Sequence, residues 1–343
     1  MLVFIIPQVA TPANITNLRK GEIIKTTPFE MVLIIRDKMN QKKSVFQKPL
    51  ILMITALFCC ALWGSATPMI KTGYELILPW RGTASTMLFA GLRFTLAGIL
   101  TIIIYSVARK RFLVPKKENI LRIMNVASFQ TVLQYIFFYI GLANTSGVKG
   151  TIASGSSAFF ALLVAGIFFK MEKITLKKLV ACVIGFAGII AVNLNGLTFT
   201  MNFLGDGFVI FSAIASAVSS VITKKYSKFE DPVIISGYQF FAGGLVMVAV
   251  GLIAGGHVQF PDAKAICVLV YLAFLSAGAY SLWGVLLKYN PVSKVSIYSF
   301  MTPVFGVILT KIILKENMVS PLSMVVSIVL VATGIFMLNY KKD

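Results

Sequence analysis

Two stretches of this chain, AFFALLVAGIFFKMEKIT at 158–175 and PVFGVILTKIILKENMVS at 303–320, are partial echoes 145 positions apart. Each is an apolar run of small and aromatic residues that ends in a glutamate, a short gap and a hydroxyl residue. Other pairs share the spacing. Lys149 and Lys294 differ by 145, and GIIAVN at 188–193 matches GIFMLN at 334–339 at an offset of 146. A phrase repeated at constant offset marks a duplication, and the length of the copied unit sets the architecture.

Composition identifies the solvent. Apolar residues make up 57%, charged residues only 13%, and mean hydropathy is +0.86. A water-soluble chain this apolar cannot cover its surface with polar groups, so the solvent is lipid. Spanning the hydrocarbon takes about 20 apolar residues as a helix. Ten such runs are present, at 50–70, 84–107, 120–142, 149–169, 176–194, 205–223, 232–254, 264–287, 292–314 and 321–340. Run length, and the lack of ten-residue alternating segments, favours helices over a barrel. The net charge of +20 does not imply nucleic acid, because Lys and Arg sit in short clusters between apolar runs.

Those clusters set the orientation. One side collects Arg36, Lys38, Lys42, Lys43 and Lys48, then Arg109, Lys110, Arg111, Lys116 and Lys117. Lys170, Lys173, Lys177, Lys178, Lys224, Lys225, Lys228, Lys341 and Lys342 continue it. The other side holds Lys71, Arg81, Lys149 and Lys264; Lys288 and Lys294 against Lys311 and Lys315 nearly balance. Both termini are therefore expected in the cytoplasm of a multi-pass protein of the cell (plasma) membrane. Residues 1–48 lie outside the repeats as a polar, basic leader; Met39 makes a natural start, and 1–38 reads as disordered or as a mis-assigned translation start.

The duplicated unit spans five helices, 50–194 and again 205–340. Five is odd, so the second copy enters the membrane from the opposite side. The expected fold is all-α, with ten transmembrane helices in two inverted five-helix repeats around a central cavity.

The phrases ALWGSATPMIK (61–71), LRFTLAGI (92–99), GDGFVIFSAIASAVSSVITKK (205–225) and YLAFLSAGAYSLWGVLLKYNPVSKVSIYSFMTPVFGVIL (271–309) resemble an EamA-type member of the drug/metabolite transporter superfamily. The resemblance covers 50–340. It implies ten helices in two inverted halves, a central cavity, and export of amino acids, metabolites or drugs. Two positions depart from the family pattern: Ala158 stands where a proline is frequent, and Ser216 where a counterpart of Trp63 would fall.

The residues argue for transport independently. Inverted repeats allow two nearly equal conformations, each open to one side, and polar residues within the spans mark the path because polar groups facing lipid are costly. Gln130 and Gln134 share a face at i,i+4, and Tyr280 and Trp283 at i,i+3, with Ser276 a turn earlier. Trp63, Ser65, Ser154, Ser157, Ser299 and Thr302 complete the candidate lining, against the alternative that the hydroxyls only join helices. Arg93 sits at depth in the second span, where it either attracts a substrate carboxylate, gates the cavity, or ties its helix to a neighbour. Glu172 and Glu316 stand just before the helix starts at Thr175 and Ser320-Pro321, where they compensate helix N-termini and nearby lysines or act in gating.

No acidic residue lies mid-span to carry a proton relay, and His257 falls in a loop. Cys59, Cys60, Cys182 and Cys267 lack metal-ligand spacing and read as buried packing thiols. Neither a phosphate-binding loop nor a clustered nucleophile and base is present. The reading is a non-enzymatic secondary exporter of amino acids or related amphiphilic compounds or drugs, without cofactor or metal. Its partners are a small-molecule substrate and the bilayer, as monomer or homodimer, with no nucleic acid. The alternatives are a sugar-phosphate or nucleotide-sugar carrier, and uptake in place of export.

Overall fold

The computed structural model describes residues 15–16, 23–24, 44–80, 82–194, 200–314 and 320–339. Among the described residues, ten helices carry the second of its two units, Phe46–Asp343. They are α1 (Pro49–Ile77), α2 (Thr83–Ala108), α3 (Lys117–Ala143), α4 (Lys149–Phe168), α5 (Leu176–Val192), α6 (Phe203–Tyr226), α7 (Pro232–Ile253), α8 (Ala263–Tyr289), α9 (Val292–Ile313) and α10 (Pro321–Asn339). Among the described residues, nine of these are long and apolar enough to cross a membrane. The exception is α5, which at 17 residues is shorter than the span expected at 176–194. At about 1.5 Å per residue it reaches only about 26 Å of a roughly 30 Å hydrocarbon layer. The first unit, Met1–Val45, contains the two-residue strands β1 (Ile15–Thr16) and β2 (Ile23–Ile24), paired antiparallel with Ile15 opposite Ile24. The reading of a disordered or mis-assigned start at 1–38 otherwise lies outside the described residues, as do Arg81, Lys315, Glu316 and Lys341.

Helix starts follow the local chemistry. Asp231 accepts from the Val233 amide at 2.9 Å ahead of Pro232, and Asp262 accepts from the Ala265 amide at 2.8 Å. Thr175 caps α5 through the Lys178 amide at 3.4 Å, and Ser320 caps α10 through the Ser323 amide at 3.1 Å. These side-chain oxygens satisfy N–H groups that have no partner within the helix. The first span runs past its expected end at 70 to Ile77, straight through Pro68. Packed neighbours tolerate a proline inside a membrane helix, where in water it would usually end one.

Small residues set the closest contacts. Gly91 meets Val248, Thr95 meets Gly244, and Gly98 meets Phe241, so α2 and α7 run antiparallel along their whole contact. A methyl group at Gly98 would lie 2.4 Å from the Phe241 amide nitrogen, and one at Gly244 2.4 Å from that of Thr95. Only glycine permits that approach, which is how membrane helices gain packing without a hydrophobic force between them. Helices α5 and α10 pair likewise, Gly188 against Val331 and Gly334 against Gly185. Outward faces carry Ile103, Val107, Leu121, Ile253 and Phe274, all exposed. A shell of that kind suits lipid.

Candidate substrate cavity

Helices α1 to α4 and α6 to α9 line a partly open cavity of about 470 Å³. That is within the range of small-molecule sites. Its aromatic wall begins with Trp63 on α1, whose ring meets Tyr280 edge-on at 5.0 Å and Trp283 at 4.9 Å. Tyr280 continues the wall, its hydroxyl 3.0 Å from that of Tyr135 and its ring 4.9 Å from Phe240. Phe94 and Phe240 stand behind the lining and close the chain of rings, stacked on each other at 5.2 Å, with Phe94 tilted against Tyr135 at 4.4 Å. Edge-to-face geometry places the positive edge of one ring on the negative face of the next, so the rings hold one another in fixed orientation.

The polar lining is small and selective. Gln130, Gln134, Ser154, Ser157, Ser299 and Thr302 face the cavity together with Trp63, Tyr280 and Trp283, so most of the residues picked from the sequence converge. Trp63 Nε1, Gln134 Oε1 and Thr302 Oγ1 are buried without a hydrogen-bond partner among the described residues. Buried polar groups are rarely left unpaired. Gln130 projects from a π-helical stretch, Ser128–Leu133, that interrupts α3 beside the cavity. Such wide turns are frequent at functional sites.

Arg93 reaches the cavity and is 3% exposed. Its Nε and Nη2 donate to Ser276 Oγ at 3.2 and 3.1 Å, and its guanidinium lies 4.6 Å from the centre of the Phe94 ring. It therefore ties α2 to α8, and it also lies in the cavity lining. Ser276 stands behind it as acceptor and is not itself part of the lining. Ser65 also stands apart from the lining, its hydroxyl 2.7 Å from the Leu62 carbonyl and 2.7 Å from the Tyr271 hydroxyl. Residues two apart on a helix point to nearly opposite sides, so Ser65 cannot share the face of Trp63.

Charged contacts close the ends of the bundle. Glu172, after α4, accepts from the Ser293 amide at 3.3 Å and from its hydroxyl, and pairs with Lys178 at 2.9 Å. Burial alone would raise its pKa, but the Ser293 hydrogen bonds and the Lys178 ammonium hold it below the ordinary carboxylate range. Lys224 donates to the carbonyls of Leu287, at 2.9 Å, and Asn290. At the opposite end Lys149 pairs with Asp206 at 3.2 Å, and Thr145 donates to the same carboxylate. Glu172 thus joins the first half to the second; the helix-start compensation expected of it goes to Ser293, at the beginning of α9. Cys59, Cys60 and Cys182 are buried, whereas Cys267 is exposed on α8, a correction to the reading of four packing thiols. His257 leans against Trp80 at 6.2 Å.

Sequence reasoning missed Tyr135, Phe94, Phe240, Lys224 and Asp206. The 145-residue offset contained the signal for the first of these, because it carries Tyr280 onto Tyr135. For Lys224 and Asp206 no sequence signal distinguishes them from other span-end charges.

The model of the EamA-like transporter family matches residues 50–194 and again 203–340. A WAT1-related chloroplastic protein of Arabidopsis thaliana is 25% identical over 292 residues, covering 81% of this chain and 67% of that protein. The uncharacterized transporter YvbV of Bacillus subtilis is 24% identical over 291 residues, covering 83% of this chain and 90% of YvbV. One solved crystal structure superposes with a TM-score of 0.69 at 16% identity, covering 84% of this chain and 95% of its own, a likeness of fold. YvbV is named as a transporter and not as an enzyme.

Proposed function

Given that the chain belongs to the EamA-like transporter family and is a multi-pass membrane protein, we propose that it is a secondary exporter of small amphiphilic organic solutes, working by alternating access. Two inverted five-helix repeats, 50–194 and 205–340, rock about the aromatic cavity, with α5 counted as the tenth span. One observation carries this reading. Tyr135 touches Tyr280 and Phe94 stacks on Phe240, pairs separated by 145 and 146 positions. Contact between repeat mates is what a two-fold axis between the halves would produce, and the antiparallel course of α2 and α7 supports an axis across the helices, as an inverted repeat requires. The polar pairs obey it too: Arg93 with Ser276 corresponds to Gln239 with Thr131, at 2.6 Å.

Halves related in this way can exchange conformations, and the exchange moves the opening from one face to the other. The contacts of Glu172 with Ser293 and of Lys149 with Asp206 tie the halves at opposite ends, so each face has a latch to make or break. The excess of Lys and Arg in one set of loops supports cytoplasmic termini, and the membrane in this reading is the cell membrane. A sugar-phosphate or nucleotide-sugar cargo would call for several cations in the lining. Arg93 is the one cationic side chain there among the described residues, which favours less highly charged cargo.

Metabolite profiling of cells and medium, with the gene deleted and overexpressed, tests the function. A compound enriched in the medium on overexpression and retained on deletion is the expected cargo; the reverse pattern would replace export by uptake. Cysteine labelling tests topology: a reporter at Lys110 should resist impermeant reagent in intact cells, and labelling there would defeat the orientation.

A further inference from the structure

Among the described residues, the cavity lining carries one fixed charge, Arg93, and no group of opposite sign. Arg93 donates from Nε and Nη2 to the single oxygen of Ser276, which itself donates to the Leu272 carbonyl at 2.8 Å. A guanidinium has five N–H donors in a planar fork. Nη1 makes no hydrogen bond among the described residues, and the ion pairs there, Arg109–Asp231, Lys149–Asp206 and Lys178–Glu172, all lie at helix ends. Arginine cannot discharge itself by losing a proton. An isolated charge in a low-dielectric interior is strongly unfavourable unless water or an anion compensates it.

We infer that Arg93 is the anchor for a carboxylate, and that the cavity selects organic monocarboxylates whose apolar or aromatic body lies along Trp63 and Trp283. This rests on the transport reading only in taking the cavity as the cargo's site. One cation matches one carboxylate, whereas a dianionic phosphate needs more. Two cations at the ends of the bundle are committed, Lys149 to Asp206 and Lys224 to the carbonyls of Leu287 and Asn290. Nη1 and the second N–H of Nη2 form the parallel N–H pair that a carboxylate accepts. Elsewhere in the lining, Trp63 Nε1 and Gln134 Oε1, without a hydrogen-bond partner among the described residues, supply one donor and one acceptor for a neutral polar group on the same molecule.

The test uses purified full-length protein and three probes of nearly one shape: 3-phenylpropionate, its primary amide and 3-phenylpropylamine, titrated calorimetrically. The acid should bind roughly tenfold or more tightly than the amide, as a charge-assisted pair exceeds a neutral one. The amine should bind more weakly than either. Arg93→Gln should bring acid and amide within about twofold of each other, and Arg93→Lys should keep the preference for the acid at reduced affinity. If Arg93 only ties α2 to α8, Ser276→Ala and Arg93→Gln will lower the melting temperature alike and leave the acid-to-amide ratio untouched. That outcome overturns the inference, as does equal binding of acid and amide by the unaltered protein, or no binding of any probe. Should Arg93→Gln fail to fold, Arg93→Lys together with the unaltered protein still decides the ratio. Medium profiling judges transport separately, so the inference can fall while the transporter reading stands.

Discussion

Replacing Trp63 by Phe separates packing from cargo binding at the cavity wall. The indole Nε1–H is buried with no acceptor among the described residues, while the ring makes edge contacts with Tyr280 and Trp283 at 5.0 and 4.9 Å. An unpaired buried donor costs about 1–3 kcal/mol. Phenylalanine deletes that donor and keeps a six-membered ring for both contacts. It gives up roughly 40 Å² of apolar surface, or about 1 kcal/mol. Stability should therefore hold or rise by up to about 2 kcal/mol, against the usual loss on truncating a core side chain. If the N–H is reserved for cargo, losing one neutral hydrogen bond of about 0.5–1.5 kcal/mol weakens affinity about 2- to 12-fold. The assay pairs thermal unfolding of purified protein with concentration-dependent flux in proteoliposomes, using the cargo found by medium profiling. Stability held with affinity lowered is the expected signature. A melting temperature that falls together with flux would make Trp63 a packing residue, and unchanged affinity would mean that its N–H does not serve cargo.

Trp283→Ala empties a buried ring site, so it should cost about 3–5 kcal/mol and most of the flux; Leu282→Ala should leave flux near normal at matched membrane abundance, and equal losses would move the binding surface elsewhere. Gly98→Ala forces a methyl group to within 2.4–2.8 Å of Phe241 and Gly237 backbone atoms, so overpacking should cost at least about 1–3 kcal/mol. Gly278→Ala, where an added methyl meets nothing within 4 Å, is the control in the same melting assay, and equal melting temperatures would refute the tight α2–α7 contact. Glu172 has a depressed pKa in the folded protein, so its contribution is full above the ordinary value of 4.5 and is lost as pH falls through the lower folded value. Between about pH 6 and pH 3.5 the unaltered protein should therefore lose more thermal stability than Glu172→Gln; parallel losses would show that the contact with Ser293 and Lys178 contributes nothing.

Much of this architecture could be read without coordinates because lipid simplifies the code. In a bilayer every backbone polar group must be satisfied within its own helix, so length and hydropathy locate helices directly. The exceptions are physical. Proline at 68 would end a helix in water but not in α1, and α5 stops at Val192 with 17 residues, short of the expected 194. Helical periodicity likewise placed Gln130 with Gln134 and Tyr280 with Trp283 on common faces, and the cavity receives all four. Ser65 misled because proximity to Trp63 along the chain is not proximity on the helix.

What the sequence alone determined was the list of helices, the repeat spacing and the polar residues that lipid would not accept. Only the tertiary structure decided which of those polar residues meet. Tyr135 and Tyr280 lie 145 positions apart and touch, Glu172 reaches across to Ser293, and Arg93 finds a hydroxyl and no carboxylate. Such pairings depend on how antiparallel helices cross and on glycines that let backbones approach. A one-dimensional pattern records the face a residue takes on its own helix, while the partner it meets is set by the register of another.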